Sequence, residues 1–145
     1  MSLNDWVNNS WLTPHQTSVE EIRNLLAVCD RDIRDCQAEG LSPDWQMNIA
    51  YNAALQAATT ALAACGYRAS RDAHHYRVIQ SLIHTIGVEK DLVIQFDQFR
   101  KKRNIGGYEQ AGLVSKKEAE EMFKLAVELR KRVQWWLQAS YPELL

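Results

Sequence analysis

The chain has 145 residues, 46% of them apolar and 24% charged, with a formal net charge of −1. That is one domain with material for a real core and no staples. The balance excludes a disordered acidic or basic tail and a wholly basic nucleic-acid binder. The charge is nevertheless uneven. Residues 100–132 carry ten Lys/Arg against five Asp/Glu, whereas residues 1–99 carry seven against twelve. One part of the chain can therefore face an anion while the whole stays near neutral.

Residues 1–17 read as an irregular N-terminal leader, with Trp6 and Trp11 as an aromatic pair that ties it to a surface. A single helical domain is expected over 18–140. Ser18 and Glu21 have capping-box spacing. Val19, Ile22, Leu26, Cys29, Ile33 and Cys36 then fall at alternating steps of three and four, a helical stripe that Gly40 ends. Ser42-Pro43-Asp44 opens a second helix ending at Gly66. Its eight alanines between Ala50 and Ala64 permit close helix approach, and Trp45, Tyr51, Leu55 and Leu62 supply bulk.

Asp72 is placed to cap a third helix over about 73–86, with Tyr76, Ile79, Leu82, Ile83 and Ile86 inward. A fourth spans about 89–103 with Leu92, Phe96 and Phe99 on one side. A glycine-containing loop follows at 104–114. Ser115 and Glu118 form another capping box, opening a last helix over 116–139 whose stripe is Ala119, Met122, Ala126, Leu129, Val133 and Trp136. No segment alternates with period two over a useful length. The expectation is an all-α, up-and-down antiparallel bundle of four to five helices.

Three cysteines without a Cys-x-x-Cys pattern read as small core residues in a reducing cytosol. Cys29 and Cys36, seven apart on one helix, stand about 10 Å apart, beyond disulfide reach. With no signal peptide and no apolar run of membrane length, the expected location is cytoplasmic, away from membranes.

Chemistry concentrates in Arg100-Lys101-Lys102-Arg103-Asn104 and, beyond two glycines, Tyr108. Cations in a last helical turn suit the helix dipole, which alone accounts for many such clusters. Guanidinium, amide, phenol and a close backbone together also suit a phosphate. Asp72 as a cap would leave His74 and His75 as boundary residues. His74, His75 and His84 lack i, i+4 spacing and have no cysteine beside them, so no metal or cofactor is expected. Arg130-Lys131-Arg132 reads as a solvated helix face. Trp135, off the core stripe, suits a cover over the leader or a dimer face.

Three features in this order resemble the HEPN domain (higher eukaryotes and prokaryotes nucleotide-binding): Tyr51-Asn52-Ala53-Ala54-Leu55 in an Ala-rich helix, His74-His75-Tyr76 opening the next, and Arg100 to Asn104 followed by Tyr108. The resemblance covers roughly 18–139. In HEPN ribonucleases a helix-end Arg and a polar residue precede a His by four to six positions, and two protomers join such motifs into a metal-independent RNA-cleaving site. Carried over, Arg103 and Asn104 match, but Gly107 or Tyr108 stands where the histidine belongs. Tyrosine, with a reference pKa near 10, is a poor base at neutral pH. The chain thus resembles the non-catalytic branch, in which Arg-Asn precedes Tyr.

The resemblance implies a binding or regulatory module, a homodimer, that engages a nucleotide, RNA or a protein through Arg100, Arg103, Asn104 and Tyr108. A nucleotidyltransferase or a toxin–antitoxin neighbour is the implied protein partner. Two alternatives stand beside it. One is a divergent metal-independent ribonuclease with His74 or His75 as base. The other is a structural dimerisation module whose corner residues only lock the fold.

Overall fold

The computed structural model describes residues 1–106 and 112–145, with the side chains of 104–106 outside the description. It is a predominantly helical, up-and-down bundle. In chain order the elements are α1 (Leu3–Asn8), β1 (Leu12–Pro14), α2 (Val19–Asp35), α3 (Pro43–Ala64), β2 (Tyr67–Ala69), α4 (His74–Ser81), α5 (Lys90–Gly106) and α6 (Lys116–Ser140), followed by a 3-10 turn at Pro142–Leu144.

Helix α3 is the axis of the bundle. Thirteen of its 22 residues are buried and they lie all round it, the pattern of a helix enclosed by its neighbours. Ala50, Ala54, Ala57, Ala58 and Ala61 are fully inaccessible. Their lack of side-chain bulk is what lets α6 and α2 pack most closely against this helix.

Polar ties fix the directions. The Asp44 carboxylate at the start of α3 accepts from the backbone N–H groups of Gly112 and Val114, just ahead of α6, at 2.7 and 3.2 Å. At the other end the Tyr141 hydroxyl donates to Cys65 Sγ. Helices α3 and α6 therefore run the same way. Helix α2 runs against α3, joined by Asn52 Nδ2 donating to Asp32 Oδ2 at 2.6 Å. Helix α5 runs against α6, with Lys102 paired to Glu118 at one end and Arg132 to Glu89 at the other.

The leader departs from the irregular expectation. Ser2 and Asp5 cap each other's backbone N–H groups and start α1. Trp6 is buried, its ring edge-on to Trp11 and to His84. Strand β1 pairs antiparallel with β2, Leu12 opposite Ala69 and Pro14 opposite Tyr67. Gly66 makes this ribbon close: its φ of +93° ends α3, and its carbonyl accepts from the His15 N–H.

Several expectations need correcting. Asp72 does not cap α4. The cap position is Ala73, with φ +52° and no side-chain hydrogen bond. The helix is also shorter than read, giving way after Ser81 to turns ending at Gly87. Helix α5 continues through Asn104 to Gly106, so Asn104 lies within the helix rather than starting the loop. Ser18 caps α2, but Glu21 does not return the bond. Its carboxylate is taken by Thr17 and His15. Val19 and Trp45, read as core, are exposed, because both lie in first turns that project past the packed layer. Arg130 and Arg132 are not merely solvated. Arg130 grips both oxygens of Asp30 on α2, and Arg132 those of Glu89.

Cys29 and Cys36 are buried, Cys65 is half-buried, and none of the three is in a disulfide. Among the described residues no helix is long and apolar enough to cross a membrane.

Candidate functional site

The basic run lies on the last turns of α5, and three of its four cations are already paired. Arg100 Nε donates to Asp97 Oδ1 at 2.6 Å, one turn back. Lys101 reaches the other oxygen of Asp97, and Lys102 pairs with Glu118 on α6. The hydrogen bond to Asp97 holds the Arg100 proton even more firmly than usual. Asp97 is only 8% exposed, so this pair is part of the fold. Arg103 has no carboxylate partner among the described residues.

Instead, Arg103 lies against an aromatic ring. Its guanidinium carbon is 5.1 Å from the ring centroid of Tyr51, a cation–π contact. Tyr51 projects from the middle of α3, is fully buried, and is braced edge-on by Phe96 of α5 at 5.6 Å. Its hydroxyl reaches Nδ1 of His75 at 3.1 Å. Tyr76, beside that histidine, lies 5.4 Å beneath Arg100. The corner thus joins three helices: Tyr51 from α3, His75 and Tyr76 from α4, Arg100 and Arg103 from α5.

Its electrostatics follow from burial and the two cations. Burial lowers the His75 pKa, and the nearness of Arg103, His74 and Arg100 lowers it further. At neutral pH the imidazole is uncharged. Burial pushes the Tyr51 phenol up to about 12, against the pull of Arg103 and Arg100. Phenol and imidazole are therefore both neutral and share one hydrogen bond. The corner offers guanidinium donors together with an imidazole whose other nitrogen, Nε2, makes no hydrogen bond among the described residues. Such a set can hold an anion, and its imidazole can exchange a proton with one.

Of the sequence-predicted residues, Arg100, Arg103 and His75 are brought together. His74 is adjacent, its ring 6.0 Å from that of His75, but its Nδ1–H donates to the Ser70 carbonyl. The Asn104 side chain and Tyr108 lie outside the described residues. An imidazole does stand at the corner: His75, from 28 positions upstream of Arg103. Tyr51, Tyr76 and Asp97 were missed as site residues. The i, i+3 spacing of Asp97, Arg100 and Arg103 was the available signal for one of them. Arg130 and Arg132 do not extend this corner. Arg132 pairs with Glu89, the residue just before α5, about 20 Å from Lys102 at 1.5 Å per residue.

Among the described residues no group of three His, Cys, Asp or Glu side chains is placed to hold a metal ion. No family model matches this chain, and no match was found among the curated proteins or the solved structures.

Proposed function

We propose that this chain is a HEPN-like binding module that holds the phosphate of a nucleotide or of RNA at Arg103, with His75 beside it. The observation that carries this reading is geometric: Arg103, with no carboxylate partner among the described residues, lies over the Tyr51 ring whose hydroxyl bonds His75. Of the two cations, Arg100 is neutralised by Asp97, leaving Arg103 as the ligand-directed charge. The contact with Tyr51 holds the Arg103 guanidinium at this corner in advance, which lowers the cost of ordering it on a phosphate.

Homodimerisation and a nucleotidyltransferase or antitoxin partner belong to this reading through the resemblance, and a cytoplasmic location through the free cysteines. The thiols fit a reducing compartment: burial raises Cys29 to about 12 and Cys36 to about 11, so neither is a ready thiolate.

Titration of the pure protein with inorganic phosphate, AMP and a short single-stranded RNA, followed by amide chemical shifts, tests it. Saturable shifts on α4 and the end of α5 that vanish in Arg103→Ala are expected. Shifts that persist in Arg103→Ala reject the assignment.

One observation favours a second reading, the divergent ribonuclease. A neutral imidazole beside a guanidinium is a general base next to a group able to stabilise a phosphorane. His75 would take the 2′-hydroxyl proton and Arg103 would hold the charged oxygens. Incubating RNA with the protein and a metal chelator decides this. Cleavage no faster than by Arg103→Ala leaves the binding reading alone.

A further inference from the structure

A cavity of about 160 Å³ lies on the far side of His74, beneath the β1–β2 ribbon. That is the size of an engineered apolar cavity that takes up benzene. Its walls are apolar where α2, α3 and α4 meet, at Leu25, Leu62, Ala63 and Val78. Its polar groups are His15, Glu21, Thr59, Tyr67, Arg68 and His74.

Their existing hydrogen bonds decide what these groups still need. His15 Nε2 lies 2.8 Å from the Glu21 carboxylate, which can only accept, so Nε2 carries a proton and, in the neutral ring, Nδ1 is an acceptor. His74 Nδ1 faces the Ser70 carbonyl, so there Nε2 is bare. Thr59 donates to the Leu55 carbonyl and Tyr67 to Asn4, leaving each oxygen as an acceptor. On Glu21, Oε1 takes both the Thr17 and the His15 bond, and Oε2 takes none among the described residues. Burial acts to raise the Glu21 pKa, but the bonds from Thr17 and His15 outweigh it and keep it ionised. Arg68 is the fixed donor in the wall, and it is exposed.

We infer that this cavity binds a small primary amine: a compact apolar body against Leu25, Leu62 and Val78, and an ammonium head on Glu21, His15 and His74. The wall is rich in acceptors and poor in donors, and its carboxylate is held in place by two neighbours. An anion would meet the same carboxylate with Arg68 alone in its favour. This site is independent of the phosphate corner and does not rest on that assignment.

Benzylamine is the probe, with benzoate and toluene as the anionic and neutral controls of similar shape. Calorimetry and amide shifts on the full chain should show saturable benzylamine binding mapped to α2, β2 and α4. It should be at least about tenfold tighter than benzoate, the factor of one charge-assisted hydrogen bond at its weak end. Glu21→Gln should erase that preference, and Leu25→Trp should block uptake. If Leu25→Trp does not fold, Glu21→Gln and the shift map still decide. Arg103→Ala should leave benzylamine binding unchanged, which separates this site from the corner. Absent binding, benzoate binding as well as benzylamine, or an unaltered affinity in Glu21→Gln would each overturn the inference.

Discussion

The Tyr51 hydroxyl and the His75 imidazole, 24 residues apart in sequence, share a hydrogen bond of 3.1 Å, and Arg103 lies over the phenol ring that makes it. This contact joins the basic end of α5 to α3 and α4. On the proposed reading stability and anion binding meet there, and the two can be separated by mutation.

Arg100 and Arg103 should separate first. Arg100→Ala leaves the nearly buried Asp97 with only the 3.6 Å contact to Lys101. A loss of about 1–3 kcal/mol is expected, seen as a melting temperature lower by several degrees. Arg103→Ala strips no carboxylate of a described partner. It should lose no more than about 2 kcal/mol, the size of a desolvated cation–π contact on the buried Tyr51 ring, while losing phosphate binding. Calorimetric melting of both variants checks this. A larger loss for Arg103→Ala would make the corner structural.

Tyr51→Phe keeps the ring beneath Arg103 and removes only the hydroxyl. His75 Nδ1 then loses its partner in a half-buried site. A destabilisation of about 1–2 kcal/mol is expected by chemical denaturation. Binding at Arg103 should change less than in Arg103→Ala, because the stacking ring remains.

Acid should weaken the fold through His75 before the carboxylates respond. The folded pKa of His75 is depressed, so in the window just below the ordinary value of 6.5 the unfolded chain holds the proton more tightly. Stability therefore falls as pH drops through 6.5 toward the depressed value, and levels off below it. The carboxylates held low by hydrogen bonds, Glu21 and Glu118, contribute only nearer pH 4.5 and below. Melting curves of the parent and His75→Gln between pH 7.5 and 5 should converge as acid is added. Phosphate binding has the opposite sign. A bound anion favours the imidazolium and should raise the His75 pKa, measurable by NMR titration.

At the start of α4, Ala73 holds a left-handed φ of +52°, costly for a residue with a Cβ. Ala73→Gly removes that cost and adds some unfolded-state entropy. The expected net is a gain of up to about 1 kcal/mol in a denaturant melt. A loss would show that the Ala73 methyl makes a contact that outweighs the strain.

The bundle was legible because its signals are local and periodic. Ile22, Leu26 and Cys29 on α2, and Met122, Ala126, Leu129 and Val133 on α6, fall on the core face as spaced. The alanines of α3 announced a crowded axis. The β-ribbon was not legible, since three-residue strands give no usable alternation and their pairing spans 57 positions from Leu12 to Ala69. Ala73 at a cap position, with Asp72 beside it, defeats any rule based on cap preference. In the site, Arg100 and Arg103 could be read because they are consecutive turns of one helix. His75 could not be placed with them, because that depends on how α4 docks on α3 and α5. The Glu21–His15 pair was hidden by Glu21's position in a capping box that it does not complete.

The most direct measurement is fluorescence anisotropy of a labelled single-stranded RNA 12-mer against the parent and Arg103→Ala at two salt concentrations. The expected result is binding that weakens with salt, with a slope reduced by about 0.7 in Arg103→Ala, the contribution of one phosphate contact on a single strand. Equal affinity and equal slope for the two proteins would contradict the assignment of Arg103 as the anion-holding residue.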